Sequence, residues 1–123
     1  MELVILLNRL YWTVNFIFHL TGGVRGAGFI HSPLLSAKGR VSMELMHVTD
    51  WLPTLYSIAG GDIHNLRNVD GYDMWNTLSQ AIESPREEIL HNIDPLKNGQ
   101  AALRFRNWKL LVNMSKQNYF RIS

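Results

Sequence analysis

The sequence contains no cysteine. Disulfide frameworks, zinc ribbons, thiol redox motifs and cysteine nucleophiles are therefore all excluded for this chain. Charge is also scarce, because charged residues make up 18% of the 123 residues and the formal net charge is +2. So small a basic excess gives little support for a nucleic-acid partner, and we expect none. With 46% apolar residues, the chain is expected to fold or to belong to something that folds.

Long apolar runs are absent, although fourteen of the first twenty residues are apolar. The longest unbroken run, Leu3 to Leu7, is too short for a membrane span, which needs about 20 apolar residues. A signal peptide is not expected, because Glu2 leads the segment and bulky residues end it. Apolar residues at helical spacing instead predict an amphipathic helix that docks on the rest of the chain. They are Leu3, Leu7, Leu10, Val14 and Ile17.

Short strands are predicted after this segment. Glycines from Gly22 onward indicate a tight turn. They do not form a phosphate-binding loop, because the GK[ST] sequence that completes such a loop does not follow them. The apolar residues of 27–31 predict a strand that Pro33 stops, with a surface loop over 34–39. Residues 44–48 predict a second strand.

Two helices are predicted in the middle of the chain. The first should begin at Thr49 or Asp50, hold Pro53 in its first turn and stop at Gly60-Gly61. Its apolar side chains should pack on a sheet: Trp51, Leu52, Leu55, Tyr56 and Ile58. A second short helix is predicted over 74–82, halted by Ser84-Pro85.

The last third is β-like. Residues 88–93 and 101–112 read as strands, and Arg106-Asn107 lies where a hairpin would reverse. A small antiparallel sheet is therefore predicted after the mixed portion.

Two His and Asp pairs could carry chemistry. His47 and Asp50 form an HxxD that could bind a metal or act as an acid–base pair, although a helix cap and a half-buried histidine explain the same residues. His91 and Asp94 could line an active site, or could mark a strand end and a turn before Pro95. The structural interpretation is favoured for both pairs.

Basic residues on the predicted hairpin form a candidate polyanion contact. Arg104, Arg106 and Lys109 alternate with aromatic residues, as a polysaccharide-binding surface would need, although such charges on an exposed face are more often only solvated. Asn113 begins an N-glycosylation sequon, which matters if the chain is secreted.

Five sequence blocks, in this order, resemble the arylsulfatase B-like sulfatases. The last blocks resemble the arylsulfatase B, I and J branch in particular, and the resemblance runs from Gly22 to about Val112. The blocks are GGVRGAGFIHSPLL, ELMHVTDWLPTLYSIAGG, VDGYDMW, ILHNIDP and AALRFRNWKLL.

The resemblance implies an α/β fold of the sulfatase, or alkaline-phosphatase-like, type. The chain would hold the end of the large mixed-sheet domain and the start of the small C-terminal antiparallel sheet. Residues 1–21 would be a helical segment outside the family, 22–61 the end of the catalytic domain, 62–86 a connection, and 87–123 the truncated small domain.

The resemblance also implies a parent activity, the hydrolysis of sulfate esters of glycosaminoglycans in lysosomes or outside the cell. Sulfatases use a formylglycine made from cysteine and a calcium ion, and neither position falls in the matching stretch. Where the family places a sulfate-contacting Lys and a Glu, this chain has Phe16 and Thr21. No catalytic residue, metal ligand or cofactor is therefore assigned to the chain itself, which is expected to be inactive alone.

Overall fold

The structure is a computed structural model that describes residues 4–6, 26–96, 99–113 and 119–121. Its contacts divide the chain into two compact units. Residues 4–6 and 27–86 lie in the first unit, and the described residues from Glu87 onward lie in the second. The first unit contains both helices and one strand pair of the described part, and the second is an antiparallel sheet. This mixture is compatible with the predicted α/β class.

Two short antiparallel strands open the first unit. Strand β1, Val4–Leu6, pairs with β2, Gly28–Ile30, so that Val4 lies opposite Ile30. The strand predicted over 27–31 is thus present. The helix predicted for the first segment is wrong at Val4–Leu6, which form a strand. β-Branched Val4 and Ile5 favour extended backbone, and pairing with β2 satisfies their peptide groups. The remainder of the segment 1–21 lies outside the described residues.

The strand predicted over 44–48 does not form. A strand needs a neighbour to accept its backbone hydrogen bonds, and no ladder partner pairs with these residues in the described part of the first unit. Val48–Asp50 instead form a 3-10 turn that leads directly into the first helix.

Helix α1 spans Trp51–Ile58, with Pro53 in its first turn as predicted. Gly60 has a φ of +86° and donates its N–H to the carbonyl of Ser57 over 2.9 Å, which ends the helix where the sequence indicated. The buried positions of α1 are Pro53 and Thr54. Leu52 and Leu55 are more than half exposed, so the prediction that they pack on a sheet is wrong.

Helix α2 spans Trp75–Gln80, inside the predicted range, and ends at Ala81 in the left-handed region. A 3-10 turn over Ile63–Asn65 lies between the two helices. The guanidinium of Arg40 donates to the carbonyls of Thr77 and Leu78 over 2.6 and 3.0 Å, a favourable position for a cation near a helix C-terminus. The apolar core of this unit consists of Leu35, Met74 and Leu78.

The second unit is a four-stranded antiparallel sheet in the order β3-β4-β5-β6. The strands are β3 (Glu88–Asp94), β4 (Gln100–Phe105), β5 (Trp108–Val112) and β6 (Tyr119–Arg121). The chain reverses at Arg106-Asn107, where Arg106 has a φ of +48°, so the predicted hairpin is confirmed. A bulge interrupts the pairing of β3 with β4 between Leu90 and Asn92.

One face of this sheet is apolar and exposed. The register aligns Leu90 with Leu103 and Leu110 in one row, and Phe105 with Trp108 in the next. Four side chains of this apolar face are between 44% and 60% exposed: Leu90, Ile93, Phe105 and Trp108. The opposite face holds the buried side chains Ile89, Ala102, Lys109 and Leu111. A contiguous apolar patch of this kind is uncommon on a monomeric surface and favours association.

We therefore expect the purified chain to self-associate through the apolar face. Substituting Leu90→Thr and Trp108→Thr together should lower the associated fraction in sedimentation velocity, because threonine keeps β propensity while removing apolar area. The exposed Val41→Thr, in the first unit, serves as the control and should change nothing. Equal association of the double variant and the parent chain would contradict the assignment of this face.

Candidate functional site

The best-defined polar cluster of the first unit surrounds the carboxylate of Asp50, whose exposed fraction is 0%. Arg86 approaches it with two nitrogens: Nε lies 2.8 Å from Oδ2, and one terminal nitrogen lies 2.6 Å from Oδ1. Two backbone N–H groups complete the arrangement, because His47 donates to Oδ2 over 2.7 Å and Tyr72 donates to Oδ1 over 2.9 Å. The negative charge is thus matched by one cation and fixed by donors from three parts of the chain.

The same geometry decides between the two interpretations of the HxxD. His47 caps the turn, accepting from the Thr49 N–H, while the Asp50 carboxylate accepts the His47 N–H, which together make a capping box. The structural interpretation of this pair is therefore confirmed. Both oxygens of Asp50 already have donors, and the described residues contain no cluster of three or more His, Cys, Asp or Glu that could hold a metal ion.

Further contacts of Arg86 and Thr54 connect this cluster to residues 70–74. Arg86 donates to the carbonyl of Asp70 over 2.8 Å and lies 4.7 Å from the centre of the Tyr72 ring. The hydroxyl of Thr54 donates to the carbonyl of Asp50 over 2.6 Å and accepts the N–H of Met74 over 2.9 Å. The cluster therefore joins the start of α1, the start of α2 and the end of the first unit.

Gly71 allows this loop to approach α1 closely. A Cβ built at Gly71 would lie 2.2 Å from the carbonyl oxygen of Thr49, which no side chain can tolerate without a backbone shift. The structure therefore requires glycine at this position for close backbone contact.

His91 and Asp94 lie in β3 and at its end. Asp94 accepts the N–H of Leu96 through its Oδ1 over 3.0 Å, which fixes the turn around Pro95. His91 is half-buried, between Leu90 and Asn92 where the ladder is irregular. Asp94 thus marks a strand end and a turn, as the structural interpretation predicts, whereas His91 lies within the strand.

The hairpin brings the three predicted basic residues together, but not on one exposed face. Arg104 and Lys109 lie directly opposite each other across β4 and β5. Arg106 forms an ion pair with Glu87, which also receives its backbone N–H, and lies 5.5 Å from the centre of the Phe105 ring. Lys109 is only 3% exposed, whereas the sequence had placed it on a solvated face.

Burial, together with the smaller effect of the neighbouring Arg104 charge, lowers the pKa of Lys109 from 10.5 to about 8. The Nε of Arg104 donates to the carbonyl of Arg106 over 2.9 Å, which holds the guanidinium near the hairpin end. The arrangement is thus a buried ammonium group next to an oriented guanidinium.

Asn113, the sequon asparagine, is exposed and follows β5 directly with a φ of +57°. Its carbonyl accepts from the side-chain amide of Gln100 over 3.4 Å. Met114 and Ser115, which complete the sequon, lie outside the described residues, as do Phe16 and Thr21.

Arg86 is the important residue of these clusters that sequence reasoning missed. Its only sequence signal was its position just after the Ser84-Pro85 helix stop, which does not distinguish it from a solvated arginine. Its partner Asp50 lies 36 residues away in sequence. Arg86 and Asp50 meet only because residues 70–74 pack against the start of α1.

Comparison with known proteins places the chain beside the arylsulfatases. It is similar to mouse arylsulfatase J, with 50% identity over an aligned stretch of 108 residues that takes in 74% of this chain and 18% of that protein. No family model matches the chain. The resemblance stated from the sequence blocks is confirmed, including its branch, and the chain spans about a fifth of the length of this relative. Within the described residues, no helix has the length and apolar character that crossing a membrane requires.

Proposed function

We propose that this chain is a C-terminal part of an arylsulfatase B-like sulfuric ester hydrolase. The observation that carries the proposal is the 50% identity to mouse arylsulfatase J over most of the chain. The parent reaction would be the hydrolysis of sulfate esters, with sulfated glycosaminoglycans as the substrate class. The parent protein would be lysosomal or secreted, where the exposed Asn113 could carry a glycan.

The domain organisation follows from the same resemblance. Residues 22–61 would close the catalytic domain, 62–86 would connect it, and 87–123 would begin the small sheet domain. The division of the described residues after Arg86 supports the last of these bounds. Residues 1–21 have no counterpart in the family.

The parent chemistry would use a formylglycine and calcium, and the residues that the structure describes do not fit either group. Formylglycine requires a cysteine, which the sequence lacks. The carboxylate of Asp50, the most buried acid of the described residues, is committed to Arg86 and two backbone donors. The role of this chain in the parent protein is therefore structural, and the Asp50–Arg86 ion pair is its centre.

The sequence of the transcript upstream of Met1 tests the proposal. We expect an in-frame CxPSR motif there, because that motif supplies the cysteine that sulfatases convert to formylglycine. An in-frame stop codon directly upstream of Met1, found in every transcript, would contradict it.

A second candidate function is a non-catalytic module that binds sulfated polysaccharide through the hairpin. The observation in its favour is that Arg104, Arg106 and Lys109 gather at one end of the sheet. The burial of Lys109 and the Arg106–Glu87 ion pair weaken it, because both reduce the charge that a polymer can reach.

Heparin chromatography separates the two candidates. If the chain is a polysaccharide-binding module, Arg104→Ala and Arg106→Ala should elute earlier than the parent chain. If it is part of an arylsulfatase, their retention should be almost unchanged. The exposed Arg67→Ala, in the first unit, is the matched control for the loss of one positive charge. We expect the hairpin variants to elute with this control, and a clear shift below it would favour the module.

A further inference from the structure

Helix α1 and the turn before it hold polar side chains on the inner side and apolar side chains on the outer side. Asp50, which precedes the helix, and Thr54, one turn later, are fully buried in the polar cluster described above. Four apolar residues lie on the opposite side at spacings of four, three and four residues, and we call them the α1 stripe. They are Val48, Leu52, Leu55 and Ala59.

The α1 stripe has the composition of a buried surface although it is exposed. Val48, Leu52 and Leu55 are each more than half exposed, and every exposed residue from Val48 to Gly60 is uncharged. A solvated helix face usually carries charged and polar residues. Covering a leucine or valine side chain contributes about 1.5–3 kcal/mol, so an apolar neighbour on this stripe would be strongly favoured.

The α1 stripe is too small to hold a second copy of the chain by itself. From Val48 to Ala59 it is about 17 Å long, and a helix about 10 Å wide presents about 170 Å² over that length. A stable interface between separate proteins needs about 800 Å² from each partner. A neighbour in the same polypeptide needs far less area, because it loses no translational or rotational freedom on contact.

We propose that the α1 stripe is the surface on which the remainder of the parent sulfatase packs. This inference rests on the proposed function. The chain takes in 18% of the length of mouse arylsulfatase J, so most of such a parent lies outside it. The facing surface is apolar and uncharged, because an acid or a base buried against the stripe would find no partner of opposite charge there.

Single cysteine variants test this surface, because the chain has no cysteine of its own to compete. Leu52→Cys and Leu55→Cys are labelled with a maleimide, and the rate in buffer is compared with the rate in urea. In the 123-residue chain, on the Leu90→Thr and Trp108→Thr background that limits association, we expect labelling within about threefold of the rate in urea. In a chimera of mouse arylsulfatase J that carries the matched residues of this chain, labelling followed by peptide mass spectrometry should be at least about tenfold slower than in urea.

The matched control is Arg67→Cys, at an exposed position of the same unit, which should be labelled rapidly in both proteins. Equal protection of Arg67→Cys in the chimera would show that the whole unit is inaccessible, and would overturn the proposal. Rapid labelling of Leu52→Cys in the chimera would also overturn it. Slow labelling of Leu52→Cys in the isolated chain would overturn it in favour of another occupant, which is a second copy if dilution restores the rate and another part of this chain if it does not.

A second measurement covers a chimera that fails to reach a soluble form. Mouse arylsulfatase J with a cysteine at the position aligned with Leu52, or with Arg67 as the control, then decides the proposal by the same comparison of rates. Failure of the proposed function is seen separately, in the transcript upstream of Met1. An in-frame CxPSR motif together with a rapidly labelled Leu52 position would refute the α1 stripe alone.

Discussion

The 123-residue chain, expressed alone, is expected to release no sulfate from an aryl sulfate above the buffer blank. The sulfatase nucleophile derives from cysteine, and the sequence contains none. The described residues likewise contain no cluster of acidic or histidine side chains that could hold calcium. Enzymes accelerate their reactions by about 10⁶-fold or more, and nearly all of this acceleration should be missing from a chain that has no cysteine to supply the nucleophile.

A chromogenic aryl sulfate assay checks this result, with and without added calcium. The matched control is a preparation of Asp50→Ala, which disrupts the first unit and should give the same blank rate. Turnover that survives repeated purification, depends on calcium and disappears in Asp50→Ala would refute the prediction and would require a different nucleophile in this chain.

Breaking the Asp50–Arg86 ion pair is expected to have the largest effect on stability. Asp50→Ala leaves the guanidinium of Arg86, whose side chain is 10% exposed, without its carboxylate, and it removes the acceptor for the N–H groups of His47 and Tyr72. Loss of one partner of a buried pair costs about 3–5 kcal/mol. A cost of this size is a large fraction of the total free energy of unfolding of a small domain.

Urea denaturation followed by circular dichroism measures this cost, and the chain supplies its own comparison. The Arg106–Glu87 pair is also an arginine–carboxylate contact, but both of its side chains are more than half exposed. Glu87→Ala should therefore cost less than about 1 kcal/mol. The double variant Asp50→Leu with Arg86→Met should recover part of the loss, because no charge then remains buried. Similar costs for Asp50→Ala and Glu87→Ala would show that Asp50 is not a structural centre.

Local features were predictable where one short segment contains the whole cause. Pro53 favours the start of α1, because the fixed φ of proline suits the first turn of a helix. Gly60 ends the helix, because glycine readily adopts the positive φ found there. The hairpin reversal at Arg106-Asn107 likewise depends on neighbouring residues only. The prediction of a strand over 44–48 was wrong, because a strand also needs a neighbouring strand for its backbone hydrogen bonds. The residues of the segment itself do not reveal whether such a neighbour exists.

The sequence by itself excluded cysteine chemistry and revealed the resemblance to arylsulfatases. It also determined where the two helices and the hairpin lie along the chain. These depend on residue types and on order along the chain. Tertiary structure decided that Asp50 meets Arg86, that Gly71 touches the backbone of Thr49, and that Lys109 is buried while Trp108 is exposed. Alternation along a strand separates its two faces, but only packing chooses which face is removed from water, since that choice depends on contacts between residues distant in sequence.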